Sequence, residues 1–183
     1  MNPENAKISM NSRKKLTDAL FTVMKQYSYK EITITQIAQE AGLSRKTFYR
    51  LYTSKEEILN EYIETIYSAF FNELKKRNIH HYWEVVQLYF DFWEQQEAMI
   101  LLFKQHELLP ALMEASRNHA EEIFSAVRSP ETAASFSPLL PFMLAYTVGG
   151  MHNMLVSWIT GGKSVSSTML IQSIKSGLQS PEI

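Results

Sequence analysis

Apolar residues recur three and four positions apart along nearly the whole 183-residue chain, while alternating runs and tight hairpin signals are nearly absent. That spacing gathers apolar side chains on one face of a helix and scatters them on a strand, so the fold is expected to be all-α. Leu16, Ala19, Leu20, Val23, Met24 and Tyr27 predict a first helix over residues 11–27. Ile58, Leu59, Tyr62, Ile63, Ile66, Ala69, Phe70 and Leu74 continue a stripe from 54 to about 77. A helix of that length reaches about 30 Å and joins a front domain to a body with no flexible linker. Further helices are expected over 81–96, 98–109, 139–160 and 165–177, and from Pro110 to about 127, with Ser129-Pro130 opening an irregular connection. With two short helices described next, the total is about nine.

Between the first and fourth helices the chain is closely punctuated. Thr33 followed by Gln36 is a capping-box pattern, in which hydroxyl and amide satisfy unpaired N–H groups at a helix start. Gly42 supplies a left-handed stop, Ser44 caps again, and Ser54 with Glu57 forms a second capping-box pattern. Two short helices joined by Gly42-Leu43-Ser44 make a helix-turn-helix candidate. The second opens Ser44-Arg-Lys-Thr-Phe-Tyr-Arg50, and from Ser44 to Lys55 there are four basic residues and no acid. Phosphate binding needs cations, and base reading needs polar side chains near the start of a helix of major-groove width. Part of the set Phe48, Leu51 and Tyr52 must turn inward to hold that helix.

Charge distribution agrees. Residues 1–57 carry ten Lys/Arg against six acids, and residues 58–183 carry eight against thirteen. A basic front on an acidic body places the polyanion at the front. With no cysteine, disulfides, thiolate metal sites and a Cys nucleophile are excluded. The first fifteen residues lack the apolar core of a secretory signal, so a cytoplasmic protein is expected. No Asp, Glu, Lys or Arg occurs between Glu131 and Lys163, yet Pro138, Pro141, Gly149, Gly150, His152 and Asn153 load that stretch with polar and helix-weakening residues. It reads as a helix buried by protein and not as a membrane span. His80 and His81 start a helix and His106, His119 and His152 are scattered, so no metal and no cofactor are expected.

Residues 32–59, ITITQIAQEAGLSRKTFYRLYTSKEEIL, resemble the TetR family of bacterial transcriptional regulators. The likeness lies in the Thr-opened helix with Ile-Ala, the Ala-Gly turn, the Ser and Thr, the aromatic-Tyr pair and the Ser-Lys-Glu start of helix four. Leu51 and Tyr52 depart from it, standing where members often carry Tyr or His followed by Phe. The resemblance implies that Thr33, Thr47, Tyr49 and Lys55 contact phosphates and that Arg45, Lys46 and Thr35 reach bases, with Ser44 opening the recognition helix. Arg50 is either a flanking phosphate contact or solvated. Domains follow: 1–57 for DNA binding, 58–183 for effector binding and dimerisation.

The body resembles a carboxyl-terminal region of Firmicutes members, through Tyr89-Phe-Asp-Phe-Trp93, Leu108-Leu-Pro-Ala-Leu112 and Gly149-Gly150 with Trp158-Ile-Thr-Gly161. The resemblance implies that the last two helices form a four-helix dimer interface. Ala145, Gly149 and Asn153 share a face, and Gly150, Met169 and Ile174 are assigned to the same interface. It also implies an effector pocket, for which Tyr89, Trp93, Phe103, Met113, Phe142, Tyr146, Met151 and Trp158 are candidates or plain core. The expected function is a ligand-responsive repressor that binds double-stranded DNA at a palindromic operator as a homodimer, with a small molecule or protein as effector. An activator recruiting a partner protein is the alternative. A helical enzyme is remote: there is no phosphate loop or nucleophile elbow, and Glu94 and Glu97 on one face read as solvated carboxylates.

Overall fold

The computed structural model describes residues 3–79, 81–128 and 138–179. Among them are nine α-helices, one 3₁₀ turn and no strand: α1 (Pro3–Met24), the turn Tyr29–Glu31, α2 (Ile34–Glu40), α3 (Arg45–Leu51), α4 (Lys55–Lys76), α5 (Tyr82–Glu94), α6 (Glu97–Gln105), α7 (Leu109–Ala126), α8 (Leu140–Thr160) and α9 (Ser167–Gln179). His80 and the expected Ser129-Pro130 connection lie outside the described residues. The chain divides into two compact units between Ile66 and Tyr67, within α4.

In the first unit α1 packs against α2 and α3, and α2 against α3. The expected stripe is buried at Leu16, Ala19, Leu20, Val23 and Met24. Two details differ from the sequence expectation. Helix α1 begins at Pro3 instead of near Asn11, with proline suiting a first turn and Glu4 at the positive end of the dipole. Tyr27 leaves the stripe and is exposed, because the helix ends at Met24 and the Tyr27 N–H closes a turn on the Val23 carbonyl.

In the second unit α7 packs on α8, α5 on α8 and α9, and α6 on α7 and α8. Its core centres on Trp93, Phe90, Ile100, Phe103 and Leu155, all fully buried. Helix α8 is buried along His152, Leu155, Trp158 and Ile159 only. On its other side Phe142 and Tyr146 are each 73% exposed, so the uncharged helix is half covered within its own subunit. Among the described residues no helix is long and apolar enough to cross a membrane. After α8 the chain reverses at Gly161, where a Cβ would lie 2.9 Å from the Ser157 carbonyl oxygen. Lys163 then pins the turn to Glu94 at 3.0 Å and Glu97 at 2.8 Å. Those two carboxylates are thereby ion-paired, not merely solvated.

Candidate nucleic-acid interface

The helix-turn-helix is built by local hydrogen bonds that its sequence encodes. Thr33 Oγ1 accepts from the Gln36 N–H at 3.3 Å, and Gln36 Oε1 accepts from the Thr33 N–H at 2.8 Å, closing the capping box of α2. At the other end Gly42 has φ +64°, the left-handed conformation that lacks a steric penalty only for glycine. The Leu43 N–H then reaches back to the Ala38 carbonyl at 2.8 Å and the Gly42 N–H to Gln39 at 3.0 Å, a Schellman closure. Ser44 Oγ accepts from the Thr47 N–H at 3.0 Å and caps α3, which starts at Arg45.

Helix α3 is sharply two-faced. Phe48 and Tyr52, four apart, turn inward, with Phe48 fully buried; that burial alone stabilises by about 2 to 3 kcal/mol. Arg45, Lys46, Tyr49 and Arg50 are exposed on the other side, and the Arg45 guanidinium lies 5.9 Å from the Tyr49 ring centre. Thr33, Thr35 and Ser44 are also exposed, while Thr47 is half-buried with its hydroxyl 2.9 Å from that of Ser44. Leu51 is half-buried. The expected base-reading and phosphate-reading residues of α3 therefore lie together on one open, cationic surface.

Two features of the site escaped the sequence reasoning. The Tyr52 hydroxyl donates to Glu61 Oε1 at 3.0 Å, Glu61 pairs with Arg13, and the Arg13 guanidinium lies 4.8 Å from the Tyr52 ring centre. This stitch joins α1, the end of α3 and α4 through residues far apart in sequence. Burial is the main cause of the raised Tyr52 pKa, so the phenol stays a donor. The second feature concerns Lys55. Its ammonium donates to the carbonyls of Tyr29 at 2.6 Å, Ile32 at 2.8 Å and Lys30 at 3.3 Å, and sits 4.7 Å from the Tyr29 ring centre. Three N–H donors thus meet three carbonyl oxygens at the turn leading into α2. The Lys55 charge faces the protein's own backbone in this structure, whereas the family resemblance implies that it faces phosphate. No local signal in the sequence identifies that pairing.

The expected second capping box is shifted by one residue. Glu57 accepts from the Thr53 N–H at 2.6 Å and the Thr53 hydroxyl at 2.7 Å, with Thr53 in place of Ser54 as its partner. Those two bonds hold the Glu57 carboxyl below its ordinary pKa. With α4 starting at Lys55, Ser54 is the N-cap and Glu57 the third helical residue, so the carboxylate reaches one residue beyond the N-cap.

In the second unit, α5, α7 and α8 with the end of α4 enclose a cavity of about 140 Å³. Of the residues assigned to a pocket, Tyr89 and Met151 line it. Trp93 and Phe103 are core, and Met113 is half-buried outside the lining. Trp158 edges a different, shallow depression, its indole N–H donating to the Val165 carbonyl at 2.8 Å. Phe142 and Tyr146 point to the surface, because the α8 face that meets α7 carries Met143, Leu144, Thr147 and Val148 instead. Of the residues assigned to a dimer interface, Ala145, Gly150, Asn153 and Met169 are exposed and Gly149 and Ile174 half-buried. Among the described residues no group of three metal-ligating side chains converges.

Comparison with known proteins agrees with this geometry. Residues 16–62 match the family model described as bacterial regulatory proteins, tetR family. The chain is also 24% identical over 117 residues to the nucleoid occlusion factor SlmA of Mannheimia succiniciproducens, covering 58% of this chain and 54% of that protein. The chain thus spans about half the length of this curated relative. The match of residues 16–62 coincides with a helix-turn-helix whose caps, turn and outward cations are all in place, so the N-terminal unit is similar in sequence and local structure to the regulatory proteins of the tetR family.

Proposed function

We propose that the protein is a homodimeric, sequence-specific transcriptional repressor that releases a palindromic operator when an effector binds its second unit. The observation carrying this reading is the separation of α3 into a buried face and an open face bearing Arg45, Lys46, Tyr49 and Arg50. Arg45 suits bidentate pairing with guanine O6 and N7, Lys46 either base or phosphate, and Tyr49, Thr33 and Thr47 the backbone. A single small helix-turn-helix offers few contacts, so two related by a twofold axis, reading half-sites about 34 Å apart, are needed for a specific complex.

The partner surface is assigned to α8 and α9. Phe142, Tyr146, Gly150 and Asn153 form an open, uncharged row along α8, and Met169 of α9 is exposed as well. Adjacent glycines inside a helix cost about 1 kcal/mol each relative to Ala. A Cβ added at Gly149 or Gly150 would meet no described residue within 4 Å, which leaves room there for the close approach of a second subunit. An effector acts by preferring one spacing of the two recognition helices, shifting operator affinity by its differential binding. The resemblance of the body to Firmicutes regulators supports the same division, with residues 1–57 reading DNA and 58–183 sensing and dimerising.

The test is DNA selected from the source genome by the purified protein, followed by titration of the selected fragment. Wild type should bind with affinity that falls steeply with salt, and Arg45→Ala and Tyr49→Ala should bind at least tenfold more weakly. Unchanged binding by both variants refutes the site. Deleting the gene should raise expression of the target; a fall establishes an activator instead.

A further inference from the structure

Tyr89 lies in the wall of the cavity formed by α5, α7 and α8, is almost wholly buried, and donates its hydroxyl proton to no residue among those described. Burial, reinforced by the nearby Tyr67 phenol, pushes its pKa well up, so the group remains a neutral donor. Buried tyrosine hydroxyls ordinarily find a partner, and an unmade bond at such a site costs more than a made one contributes.

Two of the other polar groups in the wall, Tyr67 and Ser116, are bonded to each other. Ser116 Oγ donates to the Leu112 carbonyl at 2.9 Å, which leaves the Tyr67 hydroxyl to donate to Ser116. Thr147 lies close enough to the Tyr82 hydroxyl to offset part of the burial that raises its pKa. Arg128 is the one charged side chain among the described lining residues, and its guanidinium lies 4.7 Å from the Phe124 ring centre. No carboxylate lines the cavity among the described residues, so a cation would lose its hydration without a counter-charge. An anion would find Arg128 as its one counter-charge among the described lining residues, an alternative that benzoate tests. Tyr67, Phe70, Tyr89 and Phe124 make the lining rich in aromatic rings, which favours an aromatic guest. A volume of about 140 Å³ is close to that of the engineered apolar cavity, about 150 Å³, that admits benzene.

We infer that this cavity binds an uncharged, compact molecule built on one aromatic ring and bearing a hydrogen-bond acceptor, to which Tyr89 donates its proton. The inference rests on the proposal that the second unit senses an effector, and it specifies that effector's chemistry.

Four probes of similar size separate the alternatives by titration calorimetry on the full chain: acetophenone, ethylbenzene, benzoate and 1-phenylethylamine. Acetophenone should bind about tenfold more tightly than ethylbenzene, the worth of one buried hydrogen bond. Tyr89→Phe should erase that difference while leaving ethylbenzene binding unchanged, and Ala120→Leu, which fills the cavity, should weaken both. The inference is overturned if ethylbenzene matches acetophenone in wild type, if benzoate or the amine binds best, if the preference survives in Tyr89→Phe, or if no probe binds. Operator affinity is measured separately with acetophenone bound. If it does not change, the ligand chemistry stands and the effector proposal falls.

Discussion

Lys55→Met separates two roles for one ammonium. The substitution keeps most of the apolar stem and removes the charge that holds the carbonyls of Tyr29, Lys30 and Ile32. Hydrogen bonds from a charged donor contribute about 1.5 to 3 kcal/mol each, but Lys55 is half-exposed and water can replace part of what is lost. A net loss of about 2 kcal/mol is expected, which for a chain of this size lowers the melting temperature by roughly 4 to 8 °C. The decisive reading is the salt dependence of DNA binding, because each phosphate neutralised contributes about 0.9 to the slope of log K against log salt. A lysine whose charge is occupied within the domain adds nothing to that slope. Fluorescence anisotropy with a labelled operator should therefore show a weaker Lys55→Met complex with an unchanged slope. Arg45→Met should lose stability within about 0.5 kcal/mol and, if its guanidinium neutralises a phosphate instead of pairing with a base, reduce the slope by about one per subunit. A Lys55→Met variant of unaltered stability whose slope falls by about one per subunit would refute the reasoning and restore a phosphate contact at Lys55.

Thr33→Ala removes one half of the α2 capping box and should cost about 1 kcal/mol in urea unfolding, with Thr33→Ser recovering most of it. Glu57, held low in pKa by its two bonds from Thr53, contributes stability that is present above its ordinary pKa of 4.5 and lost as pH falls through the depressed value. Glu57→Gln should lower stability at neutral pH and remove the part of the acid unfolding profile that falls in that window. Burial, and then the charge of Arg117, hold the His152 pKa below 6.5, so stability should fall as pH drops from 6.5 toward the depressed value. His152→Leu should remove that part of the pH profile in thermal melts. Replacing both exposed rings, Phe142→Asp with Tyr146→Asp, should give monomers in sedimentation velocity with an unchanged helical circular dichroism signal; persistent dimers would reject the α8 surface as the interface.

The helices and the DNA-binding motif were legible in the sequence because local physics writes them there. Thr33, Gln36, Gly42 and Ser44 act on groups at most five residues away, and each signal has a bond in the structure. The inward turn of Phe48 and Tyr52 follows from a spacing of four. What could not be read has long reach. Lys55 meets carbonyls 23 to 26 residues earlier, and Arg13 pairs with Glu61 across 48 residues. The pocket assignment suffered most, since aromatic residues on α5 and α8 satisfy the same periodicity whether they face a void, a core or solvent. Only the rotation of α8 about its axis, fixed by its packing on α7, decides that Leu144 and Thr147 turn toward the cavity and Phe142 and Tyr146 toward solvent.

The two-faced construction of α3 bears on how such a protein changes its target. Phe48 and Tyr52 carry the cost of anchoring the helix, so the side chains at Arg45, Lys46, Tyr49 and Arg50 are nearly idle in the thermodynamics of folding. Exposed substitutions of that kind usually move stability by no more than about 0.5 kcal/mol. A combinatorial library at these four sites can therefore be screened for new operators without a hidden filter for foldability, and mutational drift in a duplicated gene meets the same open path.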